Sequence, residues 1–444
     1  MTRASRRLAT AVASLTIVIA VAEPLGAYTT PWMHPTVTHF GDGWGILDPA
    51  TLIDPDAWDR APVMTGGWGG LRQRLDDAGI AFAGAYVMET AGNPTGGQVH
   101  KVRYTHDLGL GVYFDLGKLL GLNGTFFFAS ASERAGNNLS DDIPNFFQVQ
   151  QEFGNPTVRL DNLAIEQQLL DGRLDLVAGR IKATDDFAYS WVSCYSQNLG
   201  LCDFRLGTPY NGSIPSHPYS AWGLRAYDEV TPELYTMTGA YNTFADFRSA
   251  RFHGVDFSIR HDSGAAIFQE FGYSPDALRD RGTPGTFKLG GFYDSEPRRE
   301  FETGQIRGTW MLYGLAQQRL YGAEAGTRRG LTGLLGFSYA PPAMNTLEYF
   351  VNAGLVYEGL LPQRVQDVLG LFFIWGGFSS DLRDAQRESG QQPMTDETIL
   401  ELNYTYNHTS WLHIQPGIQG VIRPNGTGQT SDALVLSLQV TVDL

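Results

Sequence analysis

The sequence predicts an all-β protein, a single transmembrane antiparallel up-and-down β-barrel of about 16 strands preceded by a short N-terminal helix. Three observations carry that prediction. From Ala81 onward apolar and polar residues alternate with a period of two, the repeat of a strand whose two faces meet different surroundings. Pairs such as Asn123-Gly124, Asp171-Gly172 and Asn425-Gly426 punctuate the alternating runs, and these are the residues that hairpin turns demand. The alternation also continues to the last residue, so an open sheet would end on an apolar, unpaired edge prone to aggregation.

Taken in order, the chain of 444 residues begins with Arg3, Arg6 and Arg7, followed by an uncharged stretch from Leu8 to Ala22 and then small residues. This is the pattern of a secretory signal peptide, assigned to residues 1–27. Residues 28–67 are rich in Pro, Gly, Asp and Trp and show no sustained period. Around Trp68 to Ile80, Leu71, Leu75 and Ala78 share one helical face and Gly79 can end the helix. Residues 28–80 thus read as an N-terminal segment with a short amphipathic helix, and residues 81–444 as the barrel.

The strand signal is clearest where Leu347, Tyr349, Val351, Ala353, Leu355 and Tyr357 alternate with Glu348, Phe350, Asn352, Gly354, Val356 and Glu358. At the C-terminus Leu434, Leu436, Leu438, Val440, Val442 and Leu444 alternate with Val435, Ser437, Gln439, Thr441 and Asp443. Weaker copies run through Phe287 to Asp294 and Glu401 to Tyr406. No ten-residue strand reads as hydrophobic on both faces, which disfavours a parallel sheet buried between helices. In a soluble sandwich the polar phase faces bulk water and is rich in Lys and Glu. Here it is sparse in charge, so it suits a lumen, with the apolar phase turned to lipid. Tyr293, Trp310, Tyr349, Tyr357 and Trp411 are placed to form an interfacial girdle.

Composition narrows the function classes. A mean hydropathy of -0.19 and the absence of runs of about 20 apolar residues exclude a bundle of spanning helices. The 52 glycines exceed the usual share of about 7% and imply many turns and bare backbone positions. With 32 Lys and Arg against 47 Asp and Glu the formal charge is -15, and removal of the leader takes it to -17, so nucleic acid is not an expected partner. The only cysteines are Cys194 and Cys202. In a secreted chain they read as a disulfide, with two buried free thiols as the alternative.

Catalytic readings find little support. Adjacent Asp185 and Asp186 would point to opposite faces of a strand unless they lie in a turn, and the separation of Glu166 from Glu270 that a glycosidase would need is not encoded in sequence. Gly109 and Gly111 sit within an alternating run, not at a strand-to-helix turn. No metal or other cofactor is expected, and a secreted β-rich glycosidase is the remote alternative to a channel.

The residues resemble the carbohydrate-selective porins of the outer membrane, the OprB family. The resemblance begins at Trp68-Gly69-Gly70-Leu71-Arg72 with Leu75 and Gly79-Ile80. It continues at Gly179-Arg180, Asp185-Asp186-Phe187-Ala188, Cys194 and Cys202, and Trp222-Gly223 with Arg225. Further matches are Pro284 to Gly290, Ala340-Pro341, Gly354-Leu355 with Gly359-Leu360, Arg364 and Asp367, then Glu401, Tyr404, Trp411 to Gln419, Pro424 and Gly426. No one of these is specific, but their order and number are. The chain departs from the usual pattern in ending on Leu444, where such barrels usually carry an aromatic residue.

The resemblance implies an outer-membrane porin whose constricted polar lumen passes mono- or small oligosaccharides by passive diffusion, as a monomer or homotrimer surrounded by outer-membrane lipid. A general porin, or one selective for small acids or ions, is the alternative. A sugar presents hydroxyls and apolar C–H faces, so charged and amide groups plus an aromatic surface can replace its water, and weak multi-site binding permits exit. Strand phase combined with the family-like motifs puts Arg180, Arg225, Lys288, Glu401, Gln415 and Gln419 on the pore lining, with Glu166 and Glu348 as further lumen candidates. For each, an equally good reading is a structural ion-pair or hydrogen-bond lattice. Arg364 and Asp367 do not share a strand phase and read as a turn ion pair.

Overall fold

The computed structural model describes residues 63–259, 263–323, 327 and 329–444. The leader and most of the N-terminal segment lie outside the described residues. The helix assigned near Trp68 forms: a single 3-10 turn, Trp68–Gly70, leads into α1, Leu71–Asp77. Gly79, at φ +97°, ends it, a backbone conformation that glycine adopts without steric cost.

Sixteen strands follow. They are β1 Ile80–Thr95, β2 Val102–Asp115, β3 Thr125–Gly136, β4 Thr157–Leu169, β5 Leu174–Ile181, β6 Ala221–Thr231, β7 Leu234–Thr243 and β8 Gly264–Tyr273. The second half comprises β9 Gly285–Arg299, β10 Ile306–Gly322, β11 Gly330–Tyr339, β12 Leu347–Glu358, β13 Val368–Phe378, β14 Asp396–Asn407, β15 Leu412–Ile422 and β16 Ala433–Asp443. Each pairs antiparallel with its sequence neighbours, and β16 pairs with β1 to close the barrel. Closure leaves no edge, which resolves the hazard of the alternating C-terminal strand. Leu444 donates its N–H to Gly84 O at 2.8 Å, and the Arg72 guanidinium of α1 reaches both Leu444 O and Phe82 O.

The alternation has the predicted sense. Leu110, Leu289, Leu312, Leu335, Leu371 and Leu436 stand on the outer face and are exposed. Tyr293, Trp310, Tyr339 and Tyr349 lie beside one another on β9–β12, and the rings of Trp310, Tyr339 and Tyr349 are in sequential contact, forming part of an outward aromatic band. The hairpin signals fall at strand connections: Leu170 and Asp171 both adopt positive φ between β4 and β5, as do Asn425 and Gly426 between β15 and β16.

The two ends of the barrel differ. At the end where β1 begins, no connection exceeds 11 residues, and some are turns as short as 170–173 and 232–233. At the other end two long segments, 137–156 and 182–220, fold inward and are largely buried. Their apolar side chains make the core. Phe147, Val149, Val192, Leu201 and Leu206 from the inward loops pack with Phe350 and Val356 of β12, Phe372, Ile374 and Phe378 of β13, and Ile399, Val421 and Val435 of β14–β16.

This core corrects one sequence expectation. Strand β13 is apolar on both faces: Leu371 is exposed outward while Phe372 and Ile374 are buried inward. Its inner face meets packed loop instead of water, so the reason for a polar lumen phase does not apply there.

Candidate functional site

The polar contents of the lumen are organised by where the inward loops meet the wall. On β2–β4 a lattice of buried charges forms. Asp107 accepts from Arg134 Nε at 2.6 Å and lies 2.8 Å from His217 Nε2, and Asp161 lies 2.9 Å from Lys182 Nζ and 3.3 Å from His217 Nδ1. Lys182 also reaches Asp185 at 3.2 Å, and Arg134 stands 3.5 Å from both Glu152 and Asp203. Lys182, Asp185, Asp203 and His217 all belong to the loop between β5 and β6, and Glu152 to the loop between β3 and β4. Two loops are thereby tied to three strands by ion pairs that carry further hydrogen bonds, the condition under which buried charge is tolerated.

Burial pushes His217 down, but the neighbouring Asp161 and the hydrogen bond to Asp107 outweigh it, with Arg134 and Lys182 opposing, and the pKa rises to about 9. Burial pushes Glu152 up to about 8 against the pull of Arg134.

A second grouping lies on β5, β6, β8 and β9. Arg225 pairs with Asp175 at 2.5 Å and with Asp186 of the inward loop at 3.2 Å. Glu270, fully buried, accepts from the hydroxyls of Tyr235 and Tyr313 at 2.7 Å and from the Ala188 N–H at 2.8 Å. Lys288 stands 3.7 Å from Glu270, with its ammonium 5.7 and 5.9 Å from the ring centres of Tyr189 and Tyr235. A third grouping, on β14 and β15, contains no cation. Glu401 accepts from Ser196 Oγ at 2.6 Å, the Gln197 N–H at 2.8 Å and Asn403 Nδ2 at 2.5 Å. Gln415 donates to Tyr195 O, and Gln419 donates to Val149 O and accepts from Asn198.

The structure therefore puts Arg225, Lys288, Glu401, Gln415 and Gln419 on the inner wall, where every one of them contacts the inward loop or a residue that does. Glu166 is also inward and fully buried, hydrogen-bonded by Gln168. Two lumen candidates fall elsewhere. Arg180 lies in the outward phase of β5 with Leu174 and Leu176, opposite Trp222. The segment between β7 and β8 covers it, its guanidinium donating to Asp256 O and Ser220 O. Lys182, two residues further on, does face inward, because it lies past the end of the strand, where the chain has turned. Glu348 sits at an irregularity in the ladder between Leu347 and Tyr349. Its carboxylate accepts the Ser380 N–H at the rim, at the start of α2, Ser380–Glu388, so it is not on the constricted wall.

Cys194 and Cys202 are bridged, within the inward β5–β6 loop. Arg364 and Asp367 form the expected turn pair at 2.7 Å. Sequence reasoning left Glu270 unassigned and missed His217 and the Asp107–Arg134 and Asp161–Lys182 pairs. Glu270 shares a phase with buried Phe268, so alternation alone could not assign it. His217 lies in a loop without any period. Asp185 and Asp186, in a short helical turn, serve different partners, Lys182 and Arg225, and do not face one site.

A closed antiparallel barrel with apolar outside, two loops folded into its bore and a charged inner wall defines a channel protein of the porin class. Residues 99–444 match the family model described as carbohydrate-selective porin, OprB family. The chain is similar to Porin B of Pseudomonas aeruginosa, at 30% identity over 417 residues, covering 85% of this chain and 90% of the relative. It is also similar to the putative porin QuiX of Acinetobacter baylyi, at 25% identity over 90% of this chain and 97% of the relative. Among solved structures, the high-pH structure of Pseudomonas putida OprB matches with a TM-score of 0.81 and 28% identity, covering 87% of this chain and 99% of that one. The chain belongs to the carbohydrate-selective OprB porin family and is an outer-membrane porin.

Proposed function

We propose that carbohydrates diffuse passively through this barrel and are discriminated where Lys288 of β9 faces the inward loop. The channel reading itself follows from the family and the closed barrel, and the work done is transport without bond chemistry. The observation that supports this placement is the company Lys288 keeps. A cation, the Glu270 carboxylate and the faces of Tyr189 and Tyr235 lie within one side-chain length. Lys288 also keeps about a tenth of its side chain accessible, whereas Arg225 and Glu270 are sealed. Donors, an acceptor and aromatic surface together can exchange with the water around a sugar, and a site this small binds weakly enough to release it. Arg225, Glu401, Gln415 and Gln419 then act mainly by holding the inward loops that set the width, and Glu166, which accepts from Gln168 on its own strand, belongs to the wall. The outward band of Leu289, Leu312, Leu335 and Leu371 would face outer-membrane lipid.

Proteoliposomes containing the protein are expected to swell faster in a monosaccharide than in an amino acid of equal size. Equal rates would remove the sugar assignment. Lys288→Met is expected to change sugar block of the single-channel current while leaving the folded barrel resistant to detergent, and unchanged block would move the discriminating site elsewhere.

A further inference from the structure

A cavity of about 410 Å³ opens at the long-loop end, away from Lys288, lined by Pro209, Tyr210 and Ser213 of the inward loop, Phe247 and Arg248 of the β7–β8 segment, and Glu296 and Arg298 at the end of β9. Its size lies within the range of small-molecule pockets. Longer loops of outer-membrane barrels face the cell exterior, so a solute meets this cavity before it meets the inner wall.

Arg248 is the unusual group in it. Its guanidinium lies 5.3 Å from the ring centre of Phe204, 5.8 Å from Tyr219 and 5.1 Å from Phe247. Its Nη2 donates to Ile214 O at 3.1 Å and more weakly to Pro209 O at 3.4 Å, while its buried Nε has no hydrogen-bond partner. Arg298 is differently placed, giving its Nη2 to Ser213 Oγ and Glu296 at 3.0 Å and lying 3.6 Å from Asp294. The nearby carboxylate of Glu296 is thus engaged by Arg298. Arg248 remains a cation held only by carbonyl oxygens and ring faces. A guanidinium stays charged in proteins and matches a carboxylate in a planar, paired geometry. The buried Tyr210 hydroxyl likewise has no hydrogen-bond partner.

We propose that this cavity is a capture site for sugar acids, polyhydroxylated carboxylates of monosaccharide size, with Arg248 binding the carboxylate and Ser213, Tyr210 and Glu296 meeting hydroxyls. The formal charge of -15 makes such a site consequential: an anion approaching an acidic protein gains nothing at long range, and beyond about 8 Å at physiological salt even repulsion is screened. Admission of an acid then depends on a local, partly desolvated cation at the mouth. The inference rests on the channel reading and adds to it a second site with a different preference.

The test is single-channel recording of the whole protein in planar bilayers, with glucuronate or glucose added on the long-loop side. Glucuronate is expected to block the wild-type current at least tenfold more effectively than glucose, and Arg248→Gln is expected to abolish that preference while glucose block is unchanged. Arg298→Gln serves as a second variant, expected to weaken glucuronate block without abolishing it, and heat-modifiable migration of each variant confirms a folded barrel. Equal block by the two sugars in the wild type, or a preference untouched by Arg248→Gln, overturns the capture site while leaving the channel standing. A wild-type protein that passes no sugar at all overturns both.

Discussion

Strands β2–β9 and strands β11–β16 grip the same two inward loops, but with different physics. On β2–β9 the contacts are ionic: Asp107, Arg134, Asp161 and Arg225 meet His217, Asp203, Lys182 and Asp186 of the loops. On β11–β16 the inner faces carry no Lys or Arg. There Phe350, Phe372, Ile374, Phe378 and Ile399 pack against Phe147, Val192, Leu201 and Leu206, and the carboxylates that meet the loops, Glu397 and Glu401, are satisfied by backbone N–H, hydroxyl and amide donors. A greasy inner wall fastens the loops without leaving room for water. A charged one fastens them with polar groups, and on that side Lys288 keeps part of its side chain accessible. The passage is therefore to be sought along β5–β9, and the rest of the wall serves as the loops' foundation.

The largest expected effect tests the apolar foundation. Phe350 is 1% exposed and contacts Phe147 with ring centres 5.6 Å apart. Phe350→Ala should cost about 3–5 kcal/mol through lost burial and an unfilled cavity. Calorimetry of the detergent-solubilised protein should show the midpoint lowered, relative to the wild type, by the same amount at pH 6 and pH 9, and single-channel traces should become noisier as the loops loosen. A pH-dependent loss would mean that the two regions are not separable.

Next comes the charged lattice, where pH is the lever. His217 has its pKa raised from 6.5 to about 9, so the folded loop binds this proton more tightly than the unfolded chain does. The stabilisation is full below about 6.5 and is lost as pH rises through about 9, amounting to roughly 3 kcal/mol at most. Glu152, raised to about 8, has the same sign. Protection of the amides of residues 182–220 against hydrogen exchange, taken relative to the base-catalysed intrinsic rate, should fall from pH 7 to pH 10, and His217→Gln should flatten that fall. Protection that is insensitive to pH would show that the apolar side alone holds the loop.

A smaller effect is expected of the bridge between Cys194 and Cys202, which lies within the loop and ties it to neither wall. Replacing both by Ser should cost about 2–3 kcal/mol from the chain entropy of so short a closure. Sugar selectivity measured by liposome swelling should persist, since the ion pairs and the apolar contacts both survive.

What the sequence could convey follows the same division. The outer face was legible from Leu289, Leu436 and their neighbours, because lipid and strand geometry impose one rule along the whole wall. The inner face obeys no single rule. Phe350 and Phe372 are inward because loop covers them, and nothing local to β12 or β13 announces a loop some 150 residues or more away in sequence. Arg180 was misassigned for a related reason. Its charge suggested a lumen, but the outward phase of β5 is sheltered there by the β7–β8 segment, whose His253 carbonyl takes the Leu160 N–H at 2.9 Å. A polar side chain on the outer wall is tolerated where protein, not lipid, lies over it.

The turn between β12 and β13 offers a control that belongs to neither region. Arg364 forms a forked pair with Asp367 at 2.8 and 2.7 Å and stacks 4.1 Å from the Tyr406 ring centre, while Asp367 also accepts from Tyr404 and the Asn407 N–H. About a third of the Arg364 side chain is exposed, so screening by water keeps the contribution of the pair small. Arg364→Ala should lower the thermal midpoint by a degree or two at most and leave glucose permeation unchanged. The pair lies at the short-turn end, far in sequence and in fold from the inward loops. Altered sugar block in this variant would therefore mean that the width of the passage is set at the exit as well as by the loops, and the division of labour between the two walls would have to be redrawn.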